Sequence, residues 1–334
     1  MRATTVAIAL TACITASTAS AGLPAIAQER VQSGTLSPAD LKAAIDQLSA
    51  VDCAVRMDAA RKIRRTPAAQ AVPALLRALG QESAEFVRPA LLRALAAHGR
   101  DPKVRDALLP EIARGETMFR SALIEALGDY HADSAVAPLI ETAQMDGPLQ
   151  VDAAIALGKI GDRRALNALV AAQRAAPEDV QPQIAASICL LGVNCSSHAG
   201  YIDRTLRFTS KNAGFQPRLR SAAAAAGALG QAGSADAVNL LFDVGVVSED
   251  PVRAPIALAL GAVALRNTPL VLSVLEKRGD RDPAILLLRD AFDMLEEPYE
   301  KERFFVAVRH AYWQAAKGSE PRRIAQLLIE RLEF

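Results

Sequence analysis

A leucine–glycine pair returns along this chain at nearly constant intervals. Taking Leu157-Gly158 in AIALGKIGDRRALNALV (154–170) as the mark, equivalent positions backward are Leu127-Gly128, Leu95 and Ile63. Forward they are Leu191-Gly192, Leu229-Gly230, Leu260-Gly261 and Phe292. The steps are 32, 32, 30, 34, 38, 31 and 32 residues. Self-similarity at this period implies stacked units, none of which can bury its apolar face alone.

Each unit reads as two helices. The first carries small and large apolar residues at helical spacing, as in FRSALIEALG (119–128). A turn follows, then a residue suited to cap the second helix: Thr66, Asp101, Asp133, Asp162, Ser234 or Thr268. Pro67, Pro102 and Pro269 follow three of these, where a missing N–H costs nothing. The second helix brings an apolar pair such as Leu75-Leu76, Leu108-Leu109 or Leu139-Ile140. Composition agrees, since the hydrophobic fraction is 51% with aromatics at only 4%, leaving alanine and leucine to form an all-α core. With 38 Lys+Arg against 37 Asp+Glu, no net field draws the chain to nucleic acid or an anionic surface.

The pattern resembles a HEAT-like repeat, especially that of phycobilin lyase subunits. The match is clearest over 118–174 and recognisable from about 51 to 280. The resemblance implies a right-handed αα-superhelix of about seven helix pairs, binding proteins on a concave face where second helices lie. It implies no catalytic residue, because the matched positions serve packing and capping.

The expected organisation is a signal peptide over 1–27, a flexible linker over 28–36, a capping helix over 37–50, the repeat array over 51–283 and an aromatic-rich end over 284–334. Met1-Arg2 precedes the small, apolar ATTVAIALTACITAST, and cleavage after Ala21 or Ala27 fits the small-x-small rule. Leu10-Thr11-Ala12-Cys13 offers the alternative of lipid on Cys13. Either route exports the protein, to the periplasm or to the envelope. Ser37, Pro38 and Asp40 give the capping helix its start.

Two departures from the rhythm stand out. The 38-residue step holds the turn-rich VNCSSHAG (193–200) and SKNAGFQ (210–216), read as an insertion in loops. Seven of the fourteen aromatics follow residue 291, where helical stretches are expected at 299–316 and 320–333. They form either a lid on the last repeat or a contact patch centred on Tyr312 and Trp313.

Chemistry is sparse. Cys189 and Cys195 suit a disulfide in an oxidising compartment, while adding His198 makes a spacing that fits no standard zinc site. Cys53 reads as a buried filler, and His98 and His131 as turn residues. No phosphate loop, H-E-x-x-H or G-x-S-x-G occurs. After the apolar pair of each second helix stand Arg77, Pro110, Glu141, Ala171, Arg207 and Phe242, a column of mixed chemistry suited to an irregular protein surface. The reading is therefore a monomeric, non-catalytic scaffold for a protein partner, with no cofactor, metal, nucleic acid or membrane span. A lyase or lyase-assisting role is the alternative that the resemblance brings.

Overall fold

The computed structural model describes residues 36–65, 69–98, 101–294 and 298–334. The signal segment, Cys13, the linker up to residue 35 and the Thr66-Pro67 pair lie outside the described residues. Every regular element among the described residues is helical, as the repeat demands. The chain divides into two compact units, one reaching His98 and the other running from Gly99 to Phe334.

The first unit contains α1 (Pro38–Gln47), α2 (Cys53–Arg65), α3 (Val72–Gln81) and α4 (Arg88–Ala96). Ser37 opens it, its hydroxyl accepting from the Asp40 N–H at 3.1 Å. Helix α2 packs on α1 and α4, and α3 on α4. Arg56 fastens this arrangement, donating to the Glu82 carboxylate at 2.7 and 2.9 Å and to the carbonyls of Ala50 and Val51 at 2.8 and 2.9 Å. That guanidinium holds the Glu82 carboxyl below the usual carboxylate range. The stability it lends is present at neutral pH and lost as pH falls through the lowered value. Cys53 is half-buried at the start of α2 rather than a buried filler, because the first turn faces the α1–α2 connection.

The second unit opens with α5 (Pro102–Leu108) and continues through α6 (Thr117–Asp129), α7 (Val136–Gln144), α8 (Gln150–Ile160), α9 (Leu166–Ala175), α10 (Gln181–Leu190), α11 (Cys195–Thr209) and α12 (Gln216–Gln231). It ends with α13 (Ala235–Val246), α14 (Arg253–Arg266), α15 (Thr268–Lys277), α16 (Arg281–Met294), α17 (Pro298–Gln314) and α18 (Glu320–Leu332). First helices α6, α8, α10, α12, α14 and α16 form one layer, each touching the next. The second helices form the other layer, with α7, α9, α11 and α13 each packing across onto the following first helix. The unit is thus all-α, with helices packed sequentially in pairs.

Side-chain caps mark several of the breaks. Asp101, Asp162 and Ser234 accept from the N–H groups of Lys103, Arg164 and Ala237 at 2.9, 2.8 and 3.3 Å. Two expected caps differ. Asn267, not Thr268, accepts from the Leu270 N–H, because the Thr268 hydroxyl instead donates back to the Ala264 carbonyl at 2.8 Å. Asp133 begins a 3-10 turn, Asp133–Ala135, and makes no capping bond. Such turns also precede α9 and α12 and tighten the entry to those helices.

The small residues of the rhythm decide the curvature. A Cβ placed on Gly128 would lie 2.7 Å from Ala156 Cα, and one on Gly158 would lie 2.8 Å from Ser187 Cα. At these points α6 meets α8, and α8 meets α10, backbone to backbone, while the second helices bury Leu139, Leu169, Leu206, Leu241 and Leu275. Such close approach shortens the first-helix layer, so the stack bends toward the first helices.

The long step is not a loop insertion. Its extra residues lengthen α11 and α12, which have 15 and 16 residues against 10 in α9 and α10. Gly192 at φ 76° and Asn194 at φ 46° reverse the chain so sharply that α11 begins at Cys195. The Leu191-Gly192 mark consequently falls past the end of α10, whereas Leu157-Gly158 lies within α8. Cys189 and Cys195 form a disulfide across this reversal. Replacing both by serine is expected to cost about 2 kcal/mol by the loop-entropy relation, measured as a shift in the urea midpoint. An unchanged midpoint would mean that the bond does not restrain the unfolded chain.

The aromatic end divides between the two expected roles. Helices α17 and α18, close to their expected bounds, pack on each other and on the last repeats. Phe292, Phe304, Phe305 and Phe334 interlock, with ring centroids 4.0–6.5 Å apart. They form the lid. Trp313 stays 74% exposed, edge-on to the half-buried Tyr312, with the Arg322 guanidinium 4.3 Å from the tyrosine ring centroid. Among the described residues no single helix is long and apolar enough to cross a membrane.

Candidate functional site

Curvature toward the first helices creates a cleft on their outer face. Ser121 and Glu125 from α6, Asp152, Ile155, Ala156 and Lys159 from α8, Gln183 from α10, and Ala224, Ala228 and Gln231 from α12 line a cavity of about 190 Å³. At about 30 Å³ per water, it holds some six waters or one side chain. Four consecutive first helices would span roughly 24–30 Å if laid flat, so a shared pocket this small requires a concave layer. The concave side of this unit thus belongs to the first helices, the reverse of what the resemblance implies.

One edge of the cleft is tied across. Lys159 donates to the Asp129 carboxylate at 2.8 Å, and Arg266, at the end of α14, donates to the same carboxylate. Arg266 also lies 3.9 Å from Glu125. Asp129 and Arg266 are 137 residues apart in sequence, yet the curl of the layer makes them neighbours.

Within the cleft, burial is the main cause that pushes the Asp152 carboxyl up from its ordinary range, and the nearby Glu125 adds to it. A hydrogen bond from Ser121 and the charge of Lys159 oppose the rise. Folding therefore favours the protonated acid. The stability this lends is full at low pH and is lost as pH rises through the raised value. Asp152→Asn is expected to remove that decline, which sets in above the ordinary aspartate range. Urea titrations of both proteins across that pH region check it, and parallel curves would refute the assignment. Beside this acid, the Gln231 side-chain oxygen is buried without a hydrogen-bond partner.

The residues expected to bind a partner lie elsewhere. Arg77 is exposed on α3, in the first unit. Glu141 is exposed on α7, and Arg207 on α11. Arg207 pairs with Asp203 at 3.0 Å and Asp243 at 3.7 Å, and Arg278 reaches the same Asp243 at 2.8 Å, so this part of the column braces neighbouring second helices. Phe242 is fully buried under Arg278 and belongs to the core. Tyr312 and Trp313 sit together on α17. His98 and His131 each occupy a turn after a first helix, and burial holds the His198 imidazole down. Among the described residues, no three His, Cys, Asp or Glu side chains gather as a metal set.

Asp129, Asp152, Lys159, Gln231 and Arg266 carry no motif, so the sequence reading passes over them. Their signal is subtler. In QVDAAIALGKI, Asp152 and Lys159 interrupt a helix whose other faces are claimed by neighbours on both sides.

No family model matches this chain, and neither does any curated protein. Among solved structures it is similar to the complex of CpcE and CpcF of phycocyanin lyase from Nostoc sp. PCC7120. Identity is 20%, the alignment covers 81% of this chain and 100% of that one, and the TM-score is 0.48.

Proposed function

We propose that this chain is an exported scaffold that holds a protein partner on the concave face of its first helices, around the cleft, and performs no catalysis itself. The observation that carries the reading is the concavity shared by α6, α8, α10 and α12, a polar surface assembled from four repeat units. A surface built this way is what helical repeats use for extended contact with folded or peptide partners. The Cys189–Cys195 disulfide supports an oxidising compartment, and the N-terminal stretch supplies the export route. The test is affinity capture from the cell envelope with the intact protein, Ala224→Trp and Trp313→Ala. Ala224→Trp fills the cleft and is expected to lose the partner, while Trp313→Ala keeps it. Loss with Trp313→Ala alone would move the binding surface to the C-terminal helices.

A lyase or lyase-assisting role is the second reading. Asp152 favours it, as an acid whose raised pKa in a cleft suits proton transfer. Purified protein would then carry a bilin-like chromophore or pass one to a thiol. Absorption spectra with and without added bilin decide between the two.

A further inference from the structure

We infer that the cleft of the first helices is a socket for one positively charged side chain, lysine or arginine, of a protein partner. This rests on the scaffold reading and names the chemistry that the scaffold recognises.

Charge within the cleft comes first. Glu125 and Asp152 bring two carboxylates to the lining and Lys159 one cation, while Asp129 and Arg266 stand at its edge. Both Lys159 and Arg266 converge on Asp129, and Arg266 also approaches Glu125. Asp152 makes no direct ion pair of its own, and it feels Lys159 only as a nearby charge. The hydroxyl of Ser121 is its hydrogen-bond donor, and burial penalises its charged form. A single incoming cation would balance the cleft; an anion would meet Asp152 and Glu125.

Hydrogen bonding points the same way. The Gln231 oxygen is a buried acceptor with no donor, in the same cavity as the acid. Leaving such an acceptor unmet is costly, so an occupant that brings several N–H donors gains twice, at Gln231 and at Asp152. Ammonium and guanidinium groups are the donors-only side chains.

Shape selects a side chain over a bare ion. Ile155, Ala156, Ala224 and Ala228 supply apolar wall alongside the polar groups. Methylene stems lie against such walls while their charged heads reach acceptors. The volume of about 190 Å³ takes one such chain and excludes a folded domain.

The experiment titrates the full chain with N-acetyl-arginine amide, N-acetyl-lysine amide and the neutral N-acetyl-citrulline amide, followed by NMR shifts of α8 and α12. Saturable binding of the two cationic probes is expected, weaker by about tenfold or more for citrulline and for Asp152→Asn, since one charge-assisted contact is worth that much. Asp152→Asn should fold, because it removes a charge that burial disfavours, and its unfolding curve verifies this. Equal binding of arginine and citrulline, or equal binding by both proteins, overturns the site. Putrescine binding more tightly than either amide overturns the assignment to a partner's side chain and substitutes a free amine. The envelope capture separates this inference from the scaffold reading. A partner kept by Asp152→Asn but lost by Ala224→Trp sinks the socket and leaves the scaffold standing. Absence of any partner sinks the scaffold reading, whatever the titration gives.

Discussion

Phe304→Ala is expected to lower the unfolding free energy by about 3–5 kcal/mol, the range for truncating a buried phenylalanine. Phe304 is fully buried, and its ring meets those of Phe292, Phe305 and Phe334 at centroid distances of 4.8, 6.0 and 6.5 Å. The cavity opens where α17 and α18 pack on each other and on the last repeats. Trp313→Ala, on the same helix, should stay within about 0.5 kcal/mol of the parent because that ring is already in solvent. Urea unfolding followed by far-UV circular dichroism measures both. A loss under about 1 kcal/mol for Phe304→Ala would mean that the aromatic end is not a lid.

Gly128→Ala and Gly158→Ala should each cost about 1–3 kcal/mol, against the usual sign. In an open helix, alanine for glycine gains about 0.5–1 kcal/mol through backbone entropy. Here the new methyl would meet backbone, Ala156 Cα at 2.7 Å or Ser187 Cα at 2.8 Å, and backbone cannot rotate aside as a side-chain end can. Relief requires moving a whole first helix outward, which also opens the cleft. Gly80→Ala is the control, because a methyl at Gly80 in α3 would meet nothing within 4 Å and should stabilise. If all three stabilise, the first helices do not pack this closely and the account of the curvature fails.

Architecture was legible because the repeat writes it many times over. The helix pairs, the capping aspartates at 101 and 162, and the two C-terminal helices all follow from local spacing and cap chemistry. The disulfide was legible for a similar reason: Cys189 and Cys195 are six residues apart, so only a local reversal is needed. Which face is concave was not. It depends on how closely neighbouring first helices approach, which the glycine contacts of Gly128 with Ala156 and of Gly158 with Ser187 set and no single repeat reveals. The expected column on the second helices failed at Phe242 because the apolar face of α13 is wider than the pair used to mark it. The cleft was hidden for a further reason. Its residues are scattered between 121 and 231, and nothing in a linear pattern says that α6 and α12 line one space.

The chord from Asp129 to Arg266 has an evolutionary corollary. Repeat proteins commonly lengthen or shorten by duplicating or deleting a unit, since each touches only its neighbours. Here a strut joins units that are four first helices apart, and gaining or losing one would carry Arg266 about 8–10 Å off its mark. Copy number in this segment is therefore held by the geometry, and variation by unit duplication is expected outside 129–266, where no such long-range tie occurs among the described residues.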